Sequence, residues 1–190
     1  MAGGSGVRSA GAPRAGARST RARSLRVPSF TVIIALGSNL EPESNLIEGV
    51  RLLGEAVRLT AASRVYRTPP WGYAGQPEFL NAVAAAETEL PPPALLDTLL
   101  EIEARLGRER TIPNGPRTLD LDLLFYGDRV LDSERLTLPH PRLHERAFVL
   151  VPLCDVLPEI RHPRLGKTAR ELLQAVDRSE IRLADLTLPV

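Results

Sequence analysis

The spacing of apolar positions changes repeatedly along this chain, and each change marks an element. Thr31-Val32-Ile33-Ile34-Ala35-Leu36 is a continuous β-rich run closed by Gly37, which predicts a buried central strand. The period then lengthens. Leu46, Val50, Leu53 and Val57 recur at helical spacing, with Glu41 and Glu43 near the end where the helix dipole favours acids. Arg58 to Thr68 and Phe79 to Leu90 return to strand character. The Pro- and Gly-rich loop between them is about ten residues long, more than a hairpin needs, and long loops on a scaffold often carry function. Pro91-Pro92-Pro93 stops the second strand, and Leu95, Leu99, Ile102 and Leu106 predict a second amphipathic helix ending near Gly107. Strict alternation follows, with Leu119, Leu121 and Leu123 interleaved by Asp120 and Asp122. Pro152 to Ile160 and Thr168 to Val176 read as later helices.

The order β-α-β-β-α-β is that of the split βαβ unit. It predicts an α+β fold with a ferredoxin-like βαββαβ core, an antiparallel sheet with flanking helices in α/β/α layers. There is no internal repeat and no linker to a second domain. One domain is expected over residues 31–190.

Composition supports a self-sufficient core. A chain of 190 residues with 43% apolar content can bury about two-thirds of its unfolded surface without a disulfide or metal staple. Cys154 is the only cysteine, which fits a reducing compartment. The formal charge of +1 conceals a split: residues 1–30 carry six arginines and no acid, leaving 18 basic and 23 acidic residues, a net of −5, for the rest. That Gly-, Ala-, Ser- and Arg-rich tail has almost nothing to pack and is expected to be disordered. It is also compatible with an organellar transit peptide, a polyanion-binding arm or an overlong start. No stretch approaches the roughly 20 apolar residues of a membrane span, and no secretory segment is evident. A soluble, cytoplasmic protein with no membrane partner is expected.

The alternating segment carries the chemistry. In a strand, side chains alternate faces, so Asp120 and Asp122 point the same way, roughly 6.6 Å apart along the backbone, while the leucines point into a core. Like charges on neighbouring positions repel, and a cation beside them makes the pairing favourable. Hard oxygen ligands suit magnesium, and two such ions can clamp the attacking and leaving oxygens of a phosphoryl displacement. Arg117 adds a planar donor fork suited to phosphate. The bland alternative is a solvated strand face neutralised by arginine.

With Gly115-Pro116-Arg117-Thr118-Leu119-Asp120-Leu121-Asp122 in place, the chain resembles the 6-hydroxymethyl-7,8-dihydropterin pyrophosphokinases of folate synthesis. Four blocks carry the resemblance, from about Thr31 to Pro158: Ala35-Leu36-Gly37-Ser38-Asn39-Leu40; Tyr66-Arg67-Thr68-Pro69-Pro70 with Gln76-Pro77 and Leu80-Asn81; Ile102-Glu103 with Gly107-Arg108; and the Asp strand with Leu138-Pro139-His140 and Arg146-Ala147-Phe148 beyond it. The family implies transfer of diphosphate from ATP to the pterin hydroxymethyl group, releasing AMP, with two magnesium ions. By this similarity Asp120 and Asp122 hold both metals and, with Arg108 and Arg117 on the phosphates, form the catalytic set. Arg110 would close over the triphosphate, and Glu103, Leu123, Arg135, Thr137 and His140 would lie around the nucleotide. Phe79 and Phe148 would sandwich the pterin, with Asn81, Thr68, Pro69 and Trp71 at its edge. Read on their own, both Phe could equally be core residues, and Gly37-Ser38-Asn39 reads foremost as a strand end and helix cap, with Asn39 orienting the pterin loop as the alternative. The small-molecule substrates need no nucleic acid, and the family context leaves room for association with other folate-pathway enzymes. Asn114 stands where many members have Trp, and the loop from Arg108 to Gly115 is one residue shorter than in some relatives.

Rival readings are weaker. Gly166-Lys167-Thr168 mimics a Walker A end but has Arg161 at the required upstream glycine and no leading strand. A palm-like nucleotidyl transferase or cyclase would use the Asp pair but leaves the Thr68 to Asn81 loop unexplained. An RNA-binding module would need exposed aromatics and a basic face on a body that is acidic and aromatic-poor.

Overall fold

A computed structural model describes residues 1, 3–4, 28–70, 75–109 and 115–190. The tail expected to be disordered lies almost wholly outside them. Strand β1 (Phe30–Ser38) lies in the middle of an antiparallel sheet, flanked by β5 (Asp120–Tyr126) and β4 (Phe79–Thr88). Both β2 (Arg58–Ala62) and β3 (Tyr66–Thr68) pair with the far edge of β4, and β8 (Arg182–Leu183) extends β3. This is the expected split βαβ arrangement. Helices α1 (Pro42–Ala56) and α2 (Pro92–Arg105) form its two crossovers. A two-residue hairpin, β6 (Leu131–Asp132) with β7 (Thr137–Leu138), was not foreseen.

Alternation assigns the two faces. Val32, Ile34 and Leu36 of β1, Leu80, Ala82 and Ala84 of β4, and Leu121 and Leu123 of β5 join Leu46, Val50, Leu53, Leu95, Leu99 and Ile102 of the two helices in the larger core. The stripes read from the sequence are the buried ones. Gly49 lets α1 come close to the sheet, since a Cβ there would stand 2.8 Å from Leu119 Cδ2. Gly107, at φ 72°, ends α2 in the left-handed conformation that glycine adopts without penalty.

The opposite face is covered for half its length. Ile33, Val83, Ala85, Leu124 and Phe125 pack against Val149, Leu150 and Leu153 of α3 (Ala147–Val156) and Leu172 of α4 (Ala169–Leu173). A register shift between Ile33 and Ile34 opposite β5 lets consecutive Leu124 and Phe125 both serve this smaller core. Two expectations are corrected here. The long second strand is broken at Ser63, whose Oγ accepts from Val83 N at 2.9 Å and interrupts the ladder. The first late helix starts at Ala147 rather than Pro152, with Pro152 inside it.

Candidate active site

The uncovered end of that second face is a pocket of about 280 Å³. Its floor is built by parity: Gly37 of β1, Phe79 and Asn81 of β4, and Asp120 and Asp122 of β5 share the face that the register pairs side by side. Thr68 and Pro69 wall one side, and Arg146 and Phe148 at the start of α3 wall another. Gly37 fits this floor closely: a Cβ there would lie 3.1 Å from Asn81 Oδ1, tight enough to displace that amide.

The Asp pair is not symmetric. Asp120 accepts from Arg117 Nη1 at 2.5 Å and from Arg108. Arg108 is held in turn by Glu103, which is 2% exposed and also accepts the Leu121 backbone N–H at 2.8 Å. Glu103 therefore pins the β5 backbone between the two aspartates and aims Arg108 at the first of them. It does not reach the pocket surface, so an influence on a nucleotide would pass through Arg108. Asp122, by contrast, has no hydrogen-bond partner among the described residues. Arg146 Nη1 is 3.7 Å away and His140 Nε2 3.9 Å. Burial, reinforced by the Asp120 carboxylate, pushes the Asp122 pKa up to about 6. Burial and the nearby Arg146 push His140 down to about 4, leaving it neutral near pH 7.

Those observations suit a divalent cation. A half-buried carboxylate with a raised pKa and no donor is short of positive charge. The described residues contain no cluster of three or more His, Cys, Asp or Glu able to hold a metal. Two carboxylates facing an open pocket still match magnesium, which usually takes one or two protein carboxylates and completes its shell with water and substrate phosphates.

A second hollow of about 240 Å³ opens on the other side of Asp122 and His140, lined by Leu123, Arg135, Thr137 and Pro141 among others. Of the residues expected around a nucleotide, Leu123, Arg135, Thr137 and His140 line this hollow and Glu103 lines neither, while Thr68, Pro69, Phe79, Asn81, Phe148, Arg108 and Arg117 line the first; the two hollows share Asp122 and His140. Arg135 pairs with Asp97 at 2.5 Å. Trp71 and Arg110 lie outside the described residues, as does Asn114.

The aromatic walls each carry a guanidinium: Arg117 lies 5.3 Å from the Phe79 ring centroid and Arg146 5.6 Å from that of Phe148. Both rings are only partly buried and line the pocket, and Phe148 also packs against the edge of the smaller core. Asn81 donates to Thr68 Oγ1 at 2.8 Å, tying the floor to the wall.

The cap reading of Gly37-Ser38-Asn39 is corrected. The residue that caps α1 is Glu41, at φ 43°. Asn39 is instead 2% exposed and joins three segments. Its amide donates to Gln76 Oε1 (3.0 Å) and Pro77 O (3.1 Å), and its Oδ1 accepts from Arg117 N (2.8 Å). It thereby locks the approach to Phe79 to the segment carrying Arg117. Arg146 was also missed, since no spacing connects a lone arginine to Asp122 across the intervening hairpin.

Comparisons with known proteins identify relatives of the chain and of its fold. The family model described as 7,8-dihydro-6-hydroxymethylpterin-pyrophosphokinase matches residues 33–158. A Pseudomonas aeruginosa 2-amino-4-hydroxy-6-hydroxymethyldihydropteridine pyrophosphokinase is 47% identical over 148 residues, covering 76% of this chain and 90% of the relative. A Synechocystis protein of the same name is 43% identical, over 76% of this chain and 75% of its own length. A solved structure of Plasmodium falciparum HPPK-DHPS superposes with a TM-score of 0.63 at 16% identity, covering 80% of this chain. That likeness is one of fold, and this chain spans 46% of the solved chain's length.

Proposed function

The chain belongs to the 7,8-dihydro-6-hydroxymethylpterin-pyrophosphokinase family and is an ATP-dependent pyrophosphokinase of folate synthesis; from that premise we propose how its residues carry the reaction. The hydroxymethyl oxygen of 6-hydroxymethyl-7,8-dihydropterin bonds to the β-phosphorus of ATP as the bond to the bridging α–β oxygen breaks. AMP leaves, and the hydroxyl proton passes to solvent. Charge accumulates on phosphoryl oxygens throughout, so the protein's work is positioning and electrostatics rather than nucleophilic attack by a side chain.

Phe79 and Phe148 stack on the two faces of the pterin, and Asn81 with the Thr68 and Pro69 backbone reads its edge. The triphosphate crosses Arg108 and Arg117. The adenosine lies in the hollow of Leu123, Arg135, Thr137 and His140. Arg146 stands where the pterin wall meets Asp122 and contributes positive charge to the diphosphate as it transfers. Asp120 and Asp122 hold two magnesium ions, which when bound supply the charge that neutralises the phosphate oxygens. Trp71 and Arg110 are assigned to the pterin edge and the triphosphate by similarity alone.

The observation that carries this reading is the shared parity of Gly37, Asn81, Phe79, Asp120 and Asp122, which brings a stacking surface and an acidic pair to one pocket. Its test is AMP release from ATP and magnesium, measured with and without the hydroxymethyldihydropterin. Release that depends strictly on the pterin is expected; AMP formed equally without it would overturn the assignment. Association with other enzymes of the pathway is a separate proposal, prompted by the HPPK-DHPS chains, and gel filtration with the enzyme that uses the pterin diphosphate would test it.

A further inference from the structure

The wall of the pocket formed by Phe148 depends on how α3 sits against the sheet, and its packing leaves one degree of freedom open. Val149, Leu150 and Leu153 bury the underside of the helix, but apolar contact is non-directional and tolerates small rolls about the helix axis. Pro152 removes one backbone donor, so the carbonyl of Phe148 lacks its helical partner. A directional tie is found two turns along. Asp155 lies seven residues after Phe148, on the same flank of α3. It accepts from Tyr66 Oη at 2.7 Å and, through both oxygens, from Arg64 Nη2 at 2.6 Å and Nε at 3.2 Å. Tyr66 is 7% exposed and sits on β3 two positions before Thr68, on the same face. The strand and the helix are therefore joined at Tyr66–Asp155 and left apart at Thr68–Phe148, where the pocket opens.

We propose that Asp155, gripped by Tyr66 and Arg64, is a positioning residue for the pterin: it fixes the roll of α3 and with it the gap between Phe148 and β3. Isolated surface ion pairs contribute little, but a bidentate arginine with a buried phenol as third donor is the geometry that holds one orientation. This rests on the reading of Phe148 as a pterin wall.

The test measures binding of 6-hydroxymethyl-7,8-dihydropterin by calorimetry with a non-hydrolysable ATP analogue and magnesium present. Tyr66→Phe keeps the ring and deletes only the tie. It is expected to weaken pterin binding about fivefold, on the scale of one ordinary hydrogen bond transmitted through the helix, with affinity for the ATP analogue unchanged and kcat within about twofold. In a Phe148→Ala background the same substitution is expected to have no further effect on pterin, because its route is gone. Arg64→Leu, at an exposed position that does not threaten folding, should act in the same direction. Unchanged pterin affinity in Tyr66→Phe and Arg64→Leu, or equal losses with and without Phe148, would overturn the proposal. If Phe148→Ala itself leaves pterin binding intact, the pterin assignment fails instead, a distinguishable result.

Discussion

The two faces of the sheet are made from the same strands and differ in almost everything else. On one, the inward positions of β1, β4 and β5 are apolar except at the strand ends, where Ser38 and Thr88 are buried, and they pack against α1 and α2. On the other, α3 and α4 cover one half, and the remainder holds Asp120, Asp122, Asn81 and Gly37 around an open pocket. Adjacent residues of β5 thus have opposite surroundings: the leucines are buried in the larger core and the aspartates face the open pocket. The first face keeps its buried polar groups at the strand ends, whereas the second sets Asp120 against Arg108 and Arg117 and leaves Asp122 with Arg146 at 3.7 Å.

The contrast is sharpest when neighbours are exchanged for alanine. Asp122→Ala is expected to lower AMP formation by at least about a hundredfold while leaving the melting temperature nearly unchanged. Leu121→Ala should instead cost about 2–5 kcal/mol in urea unfolding. If both substitutions damaged stability alike, the division of labour would be wrong. Arg117→Ala should reduce kcat by about tenfold or more, on the scale of one lost charged donor, and affect pterin binding far less; equal losses in both would reassign it. Phe148→Ala should weaken pterin binding about tenfold with little change for ATP, and calorimetry showing the reverse would move it to the nucleotide side.

The covered half of the second face carries the smallest effect. His162 is 4% exposed, and its Nδ1 accepts the backbone N–H groups of Arg164 and Leu165 at 3.3 Å. Burial, then the neighbouring His144 and Arg164, hold its pKa below the ordinary 6.5. The unfolded chain therefore binds the proton more readily, so this contribution is complete above about pH 6.5 and is lost as pH falls towards the folded value. His162→Asn, which keeps the acceptor and removes the titration, should flatten that part of the urea midpoint against pH. An unchanged profile would show that His162 does not titrate on unfolding.

Much of this was legible in sequence because period and parity are local. The leucine stripes of α1 and α2 and the alternation of β5 can be read without knowing what they pack against. Helix α3 resisted because Ala147–Val156 is apolar nearly all round, and Pro152 resembles a boundary. Asn39 looked like a cap because its partners Gln76 and Arg117 are 37 and 78 residues away. Arg146 had only a motif beside it and no spacing. All four blocks nevertheless contribute lining to the first hollow, and the fourth also to the second.

In the proposed reaction Asp120 and Asp122, on the open face of β5, would hold the divalent ions that neutralise the nucleotide's phosphates. That role is tested most directly by soaking crystals with a non-hydrolysable ATP analogue and manganese and collecting anomalous diffraction. Two anomalous peaks are expected within coordinating distance of these carboxylates, with the triphosphate against Arg108 and Arg117. A bound analogue whose metal peaks lie away from both aspartates would contradict it.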